Sequence, residues 1–239
     1  MVDIIEQVKT QLNIQDSAFV GLFLYGSQNY NLNIDSSDCD YICVLADYEL
    51  SYNTLLHQNG LVKIYNLRWF LNKLMQGDLE CLECLYSDYQ EINLKYSKIL
   101  KQLITVLNKS INIEYIKASL SNKLAEHLAV LRESDTEYSK KRLYWAIRVA
   151  DQLTRVAAGE SFKDSLKYKS DNLDELLKIK TIDSYLTAES FLAMRSELEK
   201  VLAANNVESN SAILDSTNKL FETEARIKGL KYIIDSARS

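Results

Sequence analysis

The segment GSQNYNLNIDSSDCD, residues 26–40, lies between two apolar runs and decides the fold class. The run before it, AFVGLFLY at 18–25, is short, β-branched and aromatic and stops at a glycine, which predicts a buried strand. The run after it, DCDYICVLA at 38–46, predicts a second strand. Since side chains alternate along a strand, we expect Asp38 and Asp40 on one face, with Cα atoms roughly 6.5 Å apart.

Two carboxylates on one strand face indicate a bound cation. The pair repels itself unless a positive charge lies between its members, and a hard divalent cation with oxygen ligands meets this need. Gly26 and Ser27 allow backbone N–H groups and a hydroxyl to approach an anion closely, at the positive end of the following turn of helix. Together these features predict a phosphoryl or nucleotidyl transfer site. The alternative is a polar turn that happens to carry two aspartates.

The spacing of these residues resembles a known motif. A Gly-Ser pair followed by Ser37-Asp38-Cys39-Asp40 is similar to the motif of the DNA polymerase β nucleotidyltransferase superfamily. Tyr30, the run Leu67-Arg68-Trp69-Phe70 and the stretch from Gly77 to Leu85 look most like one branch of it, the predicted nucleotidyltransferases of bacteria and phages.

The resemblance implies a reaction and a set of ligands. It implies transfer of a nucleoside monophosphate from an NTP to a hydroxyl acceptor, with release of pyrophosphate and with Mg²⁺ (or Mn²⁺) as cofactor. Gly26 and Ser27 would hold the phosphates, and Asp38 and Asp40 would bind the metal. An RNA acceptor, in repair or modification, ranks first, while a protein hydroxyl and a small molecule stay open.

One expected ligand is missing from its place. Superfamily enzymes usually hold two metal ions with three carboxylates, and the resemblance places the third acid where this chain has Leu61. Leucine cannot coordinate a cation, so Glu83, which matches a family glutamate, is our candidate third metal ligand. Glu80 lies one helical turn earlier on nearly the same face. The alternative for both glutamates is a solvated or capping position.

Basic residues in the second half of the chain suggest a further contact with the nucleotide. The stretch 142–160 resembles the family helix that closes over the nucleotide, and Lys141 and Arg148 lie one heptad apart. We expect these two to share a face and bind the triphosphate. The alternative is an ordinary solvated face.

A second function class is open as well. Leu61, and Trp145 in place of a family histidine, indicate a catalytically weak or inactive relative kept as a binding or regulatory module. Such a module would act as an antitoxin-like partner or a phage factor that acts on a host protein.

Composition excludes several classes of protein. The 239 residues carry a net charge of −5, which argues against a generally basic nucleic-acid surface. No apolar run approaches the roughly 20 residues that span a bilayer, so we expect no membrane partner. No signal-peptide pattern precedes the first predicted helix, and the cysteines show no secreted-type framework, so a cytoplasmic location is expected.

We expect reduced core thiols rather than a zinc site from Cys39, Cys43, Cys81 and Cys84.

The pattern along the chain predicts an α+β fold. A small mixed sheet with helices forms a nucleotidyltransferase core domain at 1–95, and an all-α domain follows at 96–239. We predict a helix at 3–12, a loop and short helix at 47–58 and a strand at 61–65, with Asp78 as N-cap of a helix to 86. Later helices are predicted at 92–108, 112–133, 138–158, 172–178, 187–204 and 212–236, with breaks near 108, 134, 159 and 205–210.

Overall fold

The computed structural model divides the chain into two compact units, each considered by itself here. The first is Met1–Asn112 with Leu214–Ser239 and the second is Ile113–Ile213, in each case for the residues that the structure describes. Those residues are 2–33, 37–46, 49, 52–57, 60–76, 78–87, 89–110, 113–131, 137–169, 173–181, 186–205, 213, 217 and 219. The predicted boundary near residue 95 falls inside the first unit, and the domain assignment stays a prediction.

A mixed sheet forms the centre of the first unit. Its described strands are β1 (Phe19–Tyr25), β2 (Asp40–Leu45), β3 (Tyr52–His57), β4 (Gly60–Asn66) and β5 (Gln90–Ile92). They lie in the order β3-β4-β2-β1-β5. The β2–β4 pair is parallel, and the other three pairs are antiparallel. This arrangement and the helices around it confirm the predicted α+β class.

Helix α1 (Val2–Leu12) covers one face of this sheet. Its Ile5 and Val8 are buried against strand residues that mostly lie two apart in sequence, because alternate side chains of a strand share a face. These strand residues are Phe19, Leu22, Leu24, Tyr41, Cys43, Leu45, Val62 and Ile64. The residues between them, including Tyr25, Asp40 and Lys63, therefore belong to the opposite face.

Helices α2 (Leu67–Met75) and α3 (Leu79–Tyr86) contact the sheet through β4, β2 and β1. The rings of Phe23 in β1 and Phe70 in α2 stack with centroids 6.0 Å apart. Helix α3 begins after Asp78, whose side chain accepts a hydrogen bond from the Cys81 N–H at 3.1 Å. This confirms the predicted cap and fixes the start of the helix that carries Glu80 and Glu83. Helix α4 (Leu94–Ser110) completes the described helices of this unit.

The described secondary-structure elements of the second unit are all helices. It contains α5 (Ile113–Val130), α6 (Glu137–Ala157), α7 (Phe162–Ser165), α8 (Leu173–Thr181) and α9 (Ala188–Ala204). Helix α6 contacts each of the other four. Arg155 fastens the segment after α6 by donating to the Ser165 and Lys167 carbonyl oxygens and by pairing with Asp151 at 3.1 Å. Across the described chain, each helix is too short or too polar to cross a membrane.

Most predicted elements are confirmed, one is wrong, and the short strand β5 was not predicted. The predicted loop and short helix at 47–58 contain strand β3 instead, and the predicted second strand begins at Asp40 rather than at Asp38. Strand β3 has exposed or half-buried residues on both faces, so its sequence lacks a clear apolar alternation. Two predicted breaks, at 134 and 206–210, lie outside the described residues. The predicted helix at 212–236 lies outside them as well, except for residues 213, 217 and 219.

The Asp78 cap gives the first prediction. We expect Asp78→Ala to lower the free energy of unfolding by about 1 kcal/mol, because it leaves the Cys81 N–H without its acceptor at the helix start. Asp78→Asn is the control: it keeps a capping oxygen and removes only the charge that lies 3.7 Å from the Lys73 ammonium. Urea unfolding measures both variants. Equal losses in the two would mean that the ion pair, rather than the cap, stabilises α3.

Candidate active site

The turn after β1 has the conformation that its sequence predicts. Gly26 has φ +83°, and residues Gly26–Tyr30 form a turn of 3₁₀ helix. The turn ends at Asn31 with φ +58°, a left-handed conformation that asparagine adopts more readily than most residues. The Leu32 N–H then donates to the Ser27 carbonyl oxygen at 3.1 Å.

Buried polar contacts fix the far end of this turn. The Asn29 amide donates to the Leu24 carbonyl oxygen at 2.8 Å and accepts from the Ser87 hydroxyl at 3.1 Å. The Tyr30 ring is buried, and its hydroxyl donates to the Glu83 carboxylate in α3. Because each of these groups is buried, the hydrogen bonds hold the turn in one position against β1 and α3.

Asp40 lies directly beside the Gly26 end of the turn. It opposes Tyr25 in the β1–β2 pair, and its Oδ1 accepts from the Leu61 N–H at 3.1 Å. A Cβ atom on Gly26 would lie 3.7 Å from Asp40 Oδ2, so the second oxygen of this carboxylate is directed toward the turn. The predicted association of one carboxylate with the Gly-Ser turn is therefore present. Asp38 is exposed and lies two residues before the strand.

Gly60, the first residue of β4, is also part of this site. A Cβ atom there would lie 2.6 Å from the Cys39 carbonyl oxygen and 3.1 Å from Asp40 Oδ1, at a φ of +149°. The same carbonyl oxygen is 2.7 Å from His57 Nε2 of β3, which implies that this nitrogen carries a proton. The Gln28 amide lies 3.6 Å from the Cys39 sulfur. A glycine at the start of a strand can signal such a close backbone approach.

Gly60 gives the second prediction. We expect Gly60→Ala to lower the free energy of unfolding by about 1–3 kcal/mol, because the new methyl group meets backbone atoms of Cys39 at an unfavourable φ. Gly159→Ala is the matched control, because its φ is +97° and nothing lies within 4 Å of the added Cβ. Thermal and urea unfolding compare the two. An equal cost in both variants would mean that backbone strain alone, and not contact with the Asp40 segment, requires glycine at position 60.

The three positions considered for a third metal ligand are an apolar residue, Leu61, and two glutamates, Glu80 and Glu83, that contact other side chains. Leu61 adjoins Asp40 in the parallel β2–β4 pair, and its N–H donates to the Asp40 carboxylate. Glu83 is buried, with only 1% of its surface exposed, and accepts from Tyr30. Glu80 Oε2 lies 2.5 Å from the ammonium nitrogen of Lys63 in β4. Within the described ranges, the structure brings together no group of three His, Cys, Asp or Glu side chains able to hold a metal.

Three of the four thiols are buried in the core, as predicted. Cys43, Cys81 and Cys84 are buried and Cys39 is half-buried, and all four are free thiols. Burial raises the pKa of the Cys43 thiol to about 12. Burial also raises the pKa values of Cys81 and Cys84, and the charge of Asp78 adds to the effect at Cys81. Burial of these side chains among apolar neighbours is typical of structural core thiols.

The two basic residues proposed to bind triphosphate lie in different environments of the second unit. Lys141 is exposed, whereas Arg148 is buried. The Arg148 guanidinium lies 5.4 Å from the centre of the Trp145 ring and donates to Gln152 at 3.3 Å. Gln152 in turn donates to Ser165 of α7 at 3.2 Å, so this part of α6 is covered. The heptad spacing does not give Lys141 and Arg148 a shared exposed face.

His127 is the second histidine, and its surroundings are cationic. It is buried in α5, and its Nδ1 lies 3.5 Å from the Arg142 guanidinium. Burial, followed by the charges of Lys123, Arg142 and Arg148, lowers the pKa of His127 to about 4. The folded protein therefore holds this ring neutral at pH values where the unfolded chain protonates it.

This shift gives the third prediction. Because the pKa falls from 6.5 to about 4 on folding, the unfolded state binds more protons between these values. The free energy of unfolding should therefore decrease as the pH falls from about 6.5 toward 4, and His127→Gln should reduce this slope. Urea unfolding of both proteins at half-unit pH steps measures the difference. An identical pH dependence would show that His127 does not contribute.

Comparison with known proteins adds little to this geometry. No family profile and no curated protein sequence matches the chain. Among solved structures, it is similar to a nucleotidyltransferase-like protein from Exiguobacterium sibiricum 255-15, with 10% identity and a TM-score of 0.36 over 97% of this chain and 87% of the other. A similarity of this size does not assign a function.

Proposed function

We propose that this protein is a metal-dependent nucleotidyltransferase that binds an NTP at the turn after β1. The observation that carries the proposal is the position of Asp40, whose carboxylate is held beside Gly26 by the Leu61 N–H. An acidic residue next to a glycine turn provides one group for a cation and space for phosphate oxygens. The motif resemblance of residues 26–40 supports the same chemistry.

The residues present fit one divalent cation. Mg²⁺ and Mn²⁺ prefer oxygen ligands, and Asp38 and Asp40 supply carboxylates within three residues of each other. The absence of a Cβ at Gly26 leaves room next to Asp40 Oδ2. In our proposal these two aspartates hold the ion. When bound, the metal withdraws charge from the reacting phosphate and favours ionisation of the acceptor hydroxyl.

The other residues of the turn bind and orient the substrate. The Ser27 hydroxyl and the N–H groups at the start of the 3₁₀ turn face the phosphates, where the positive end of the turn favours an anion. The buried anchors Asn29 and Tyr30 keep these donors fixed, so little ordering is needed when the nucleotide binds. RNA is our first-ranked acceptor.

A binding module without catalysis is the second candidate function. Leu61 occupies the place of the third carboxylate, and Glu83 is engaged with Tyr30 in the core. Both observations favour a protein that has lost the transfer step. Such a protein would still bind nucleotide at the turn, or would use this fold for a regulatory contact alone.

Nucleotide binding with and without Mn²⁺ gives the fourth prediction. Isothermal titration with a non-hydrolysable ATP or GTP analogue should show binding that requires the metal. Asp40→Asn should weaken it at least tenfold, because even residues around a metal's ligands typically contribute about 10–100-fold to its affinity. Asp16→Asn is the control, since Asp16 is an exposed aspartate of the same unit whose partner is Lys9 at 2.6 Å. Binding that both variants retain would refute the proposal.

Labelling then separates the two candidate functions. A transferase should transfer label from at least one α-³²P-labelled NTP to an acceptor in total RNA or cell lysate, and Asp40→Asn should abolish this. Metal-dependent binding without any transfer to RNA, protein or small molecules supports the binding module.

A further inference from the structure

Lys63 places a positive charge on the face of the sheet that carries Asp40. It lies in β4 two residues after Leu61, opposite Ile42 of β2, and so on the same face as Asp40 and Tyr25. Its ammonium nitrogen is 4.8 Å from the centre of the Tyr25 ring and 2.5 Å from Glu80 Oε2. Tyr25 is itself the strand partner of Asp40. The cation is therefore held within the same cluster as the candidate metal ligand.

The contacts of Lys63 keep it charged. Burial lowers the pKa of the Lys63 ammonium, but the charge of Glu80 and its hydrogen bond outweigh this, so the pKa is raised overall. Burial, followed by the charges of Glu80 and Asp40, raises the pKa of the Tyr25 hydroxyl, which stays protonated beside them. A protonated lysine above an aromatic ring also gains from the cation–π attraction.

The ion pair is not sealed in the core. About a fifth of the Lys63 side chain, 19%, and 35% of the Glu80 side chain are exposed. A lysine ammonium has three donors, and Glu80 uses one of them in the described contact. The Lys63 side chain is thus partly accessible on the sheet face that carries Asp40.

We propose that Lys63 takes the place of a second metal ion: it binds the phosphates of the nucleotide directly, and the site holds one divalent cation instead of two. This inference rests on the proposed function. Leucine at position 61 cannot supply a ligand for a second ion next to Asp40, and Lys63 supplies a positive charge two residues further along the same strand face. A divalent cation close to that ammonium would be repelled.

Metal stoichiometry is the first test. Mn²⁺ titrations followed by electron paramagnetic resonance, with a saturating non-hydrolysable NTP analogue, should give one Mn²⁺ for each chain. Two ions bound with comparable affinity would overturn the inference. A protein that binds neither Mn²⁺ nor nucleotide would overturn both the inference and the proposed function.

Substitution of the ion pair is the second test and the fifth prediction. Lys63→Gln should weaken nucleotide binding about tenfold at constant Mn²⁺, because a charge-assisted hydrogen bond to phosphate is lost. Lys63→Arg should retain most of the affinity. Glu80→Gln is the matched control: it breaks the same ion pair but leaves the cation. A merely structural role for the pair predicts equal losses of affinity in Lys63→Gln and Glu80→Gln.

The readouts separate the possible failures. Circular dichroism and thermal unfolding establish whether each variant folds. If Lys63→Gln does not fold, the comparison uses Lys63→Arg, which keeps a positive charge at this position. If the wild-type protein binds nucleotide with Mn²⁺ and Lys63→Gln binds it equally well, the role of Lys63 is refuted while the nucleotide site stands. If affinity falls for Lys63→Gln and is unchanged for Glu80→Gln, the ammonium contacts the nucleotide.

Discussion

The candidate site depends on the hydrogen bond from the Leu61 N–H of β4 to Asp40 Oδ1 of β2. This hydrogen bond orients the carboxylate at the first residue of β2, and it does so only because β4 begins close to the Cys39 carbonyl. Gly60 allows that approach, since a side chain there would overlap the carbonyl oxygen. Gly26 likewise leaves the other side of the carboxylate open. One acidic side chain is therefore positioned by two glycines and one backbone donor.

The charges around Asp40 are balanced within the protein. Asp40 and Glu80 both act on the Tyr25 hydroxyl, and Lys63 offsets part of their negative charge from the same face. The rigid turn from Gly26 to Tyr30 lies next to this cluster because Tyr30 is anchored to Glu83. In this conformation the Glu83 carboxylate is buried against Tyr30 and does not face a solvent-accessible metal site. The site that results combines one carboxylate directed at a glycine turn with one fixed ammonium.

Local signals explain what could be predicted from the sequence. The strands β1 and β2 have strong apolar runs, Asn31 adopts the left-handed conformation expected of it, and Asp78 caps α3 as its position suggests. Strand β3 was missed because its residues are exposed or half-buried and show no clear apolar alternation, and β5 was missed because it has only three residues. The burial of Arg148 and the formation of the Lys63–Glu80 ion pair depend on which helices and strands pack together. The spacing of residues along one helix or strand does not reveal this packing.

Anomalous diffraction from crystals grown with Mn²⁺ and a non-hydrolysable NTP analogue tests the account most directly. The account predicts a manganese peak about 2.1 Å from a carboxylate oxygen of Asp40, with the triphosphate on the Gly26–Ser27 turn. Manganese and nucleotide bound elsewhere, or a turn that stays without either at saturating concentrations, would contradict it.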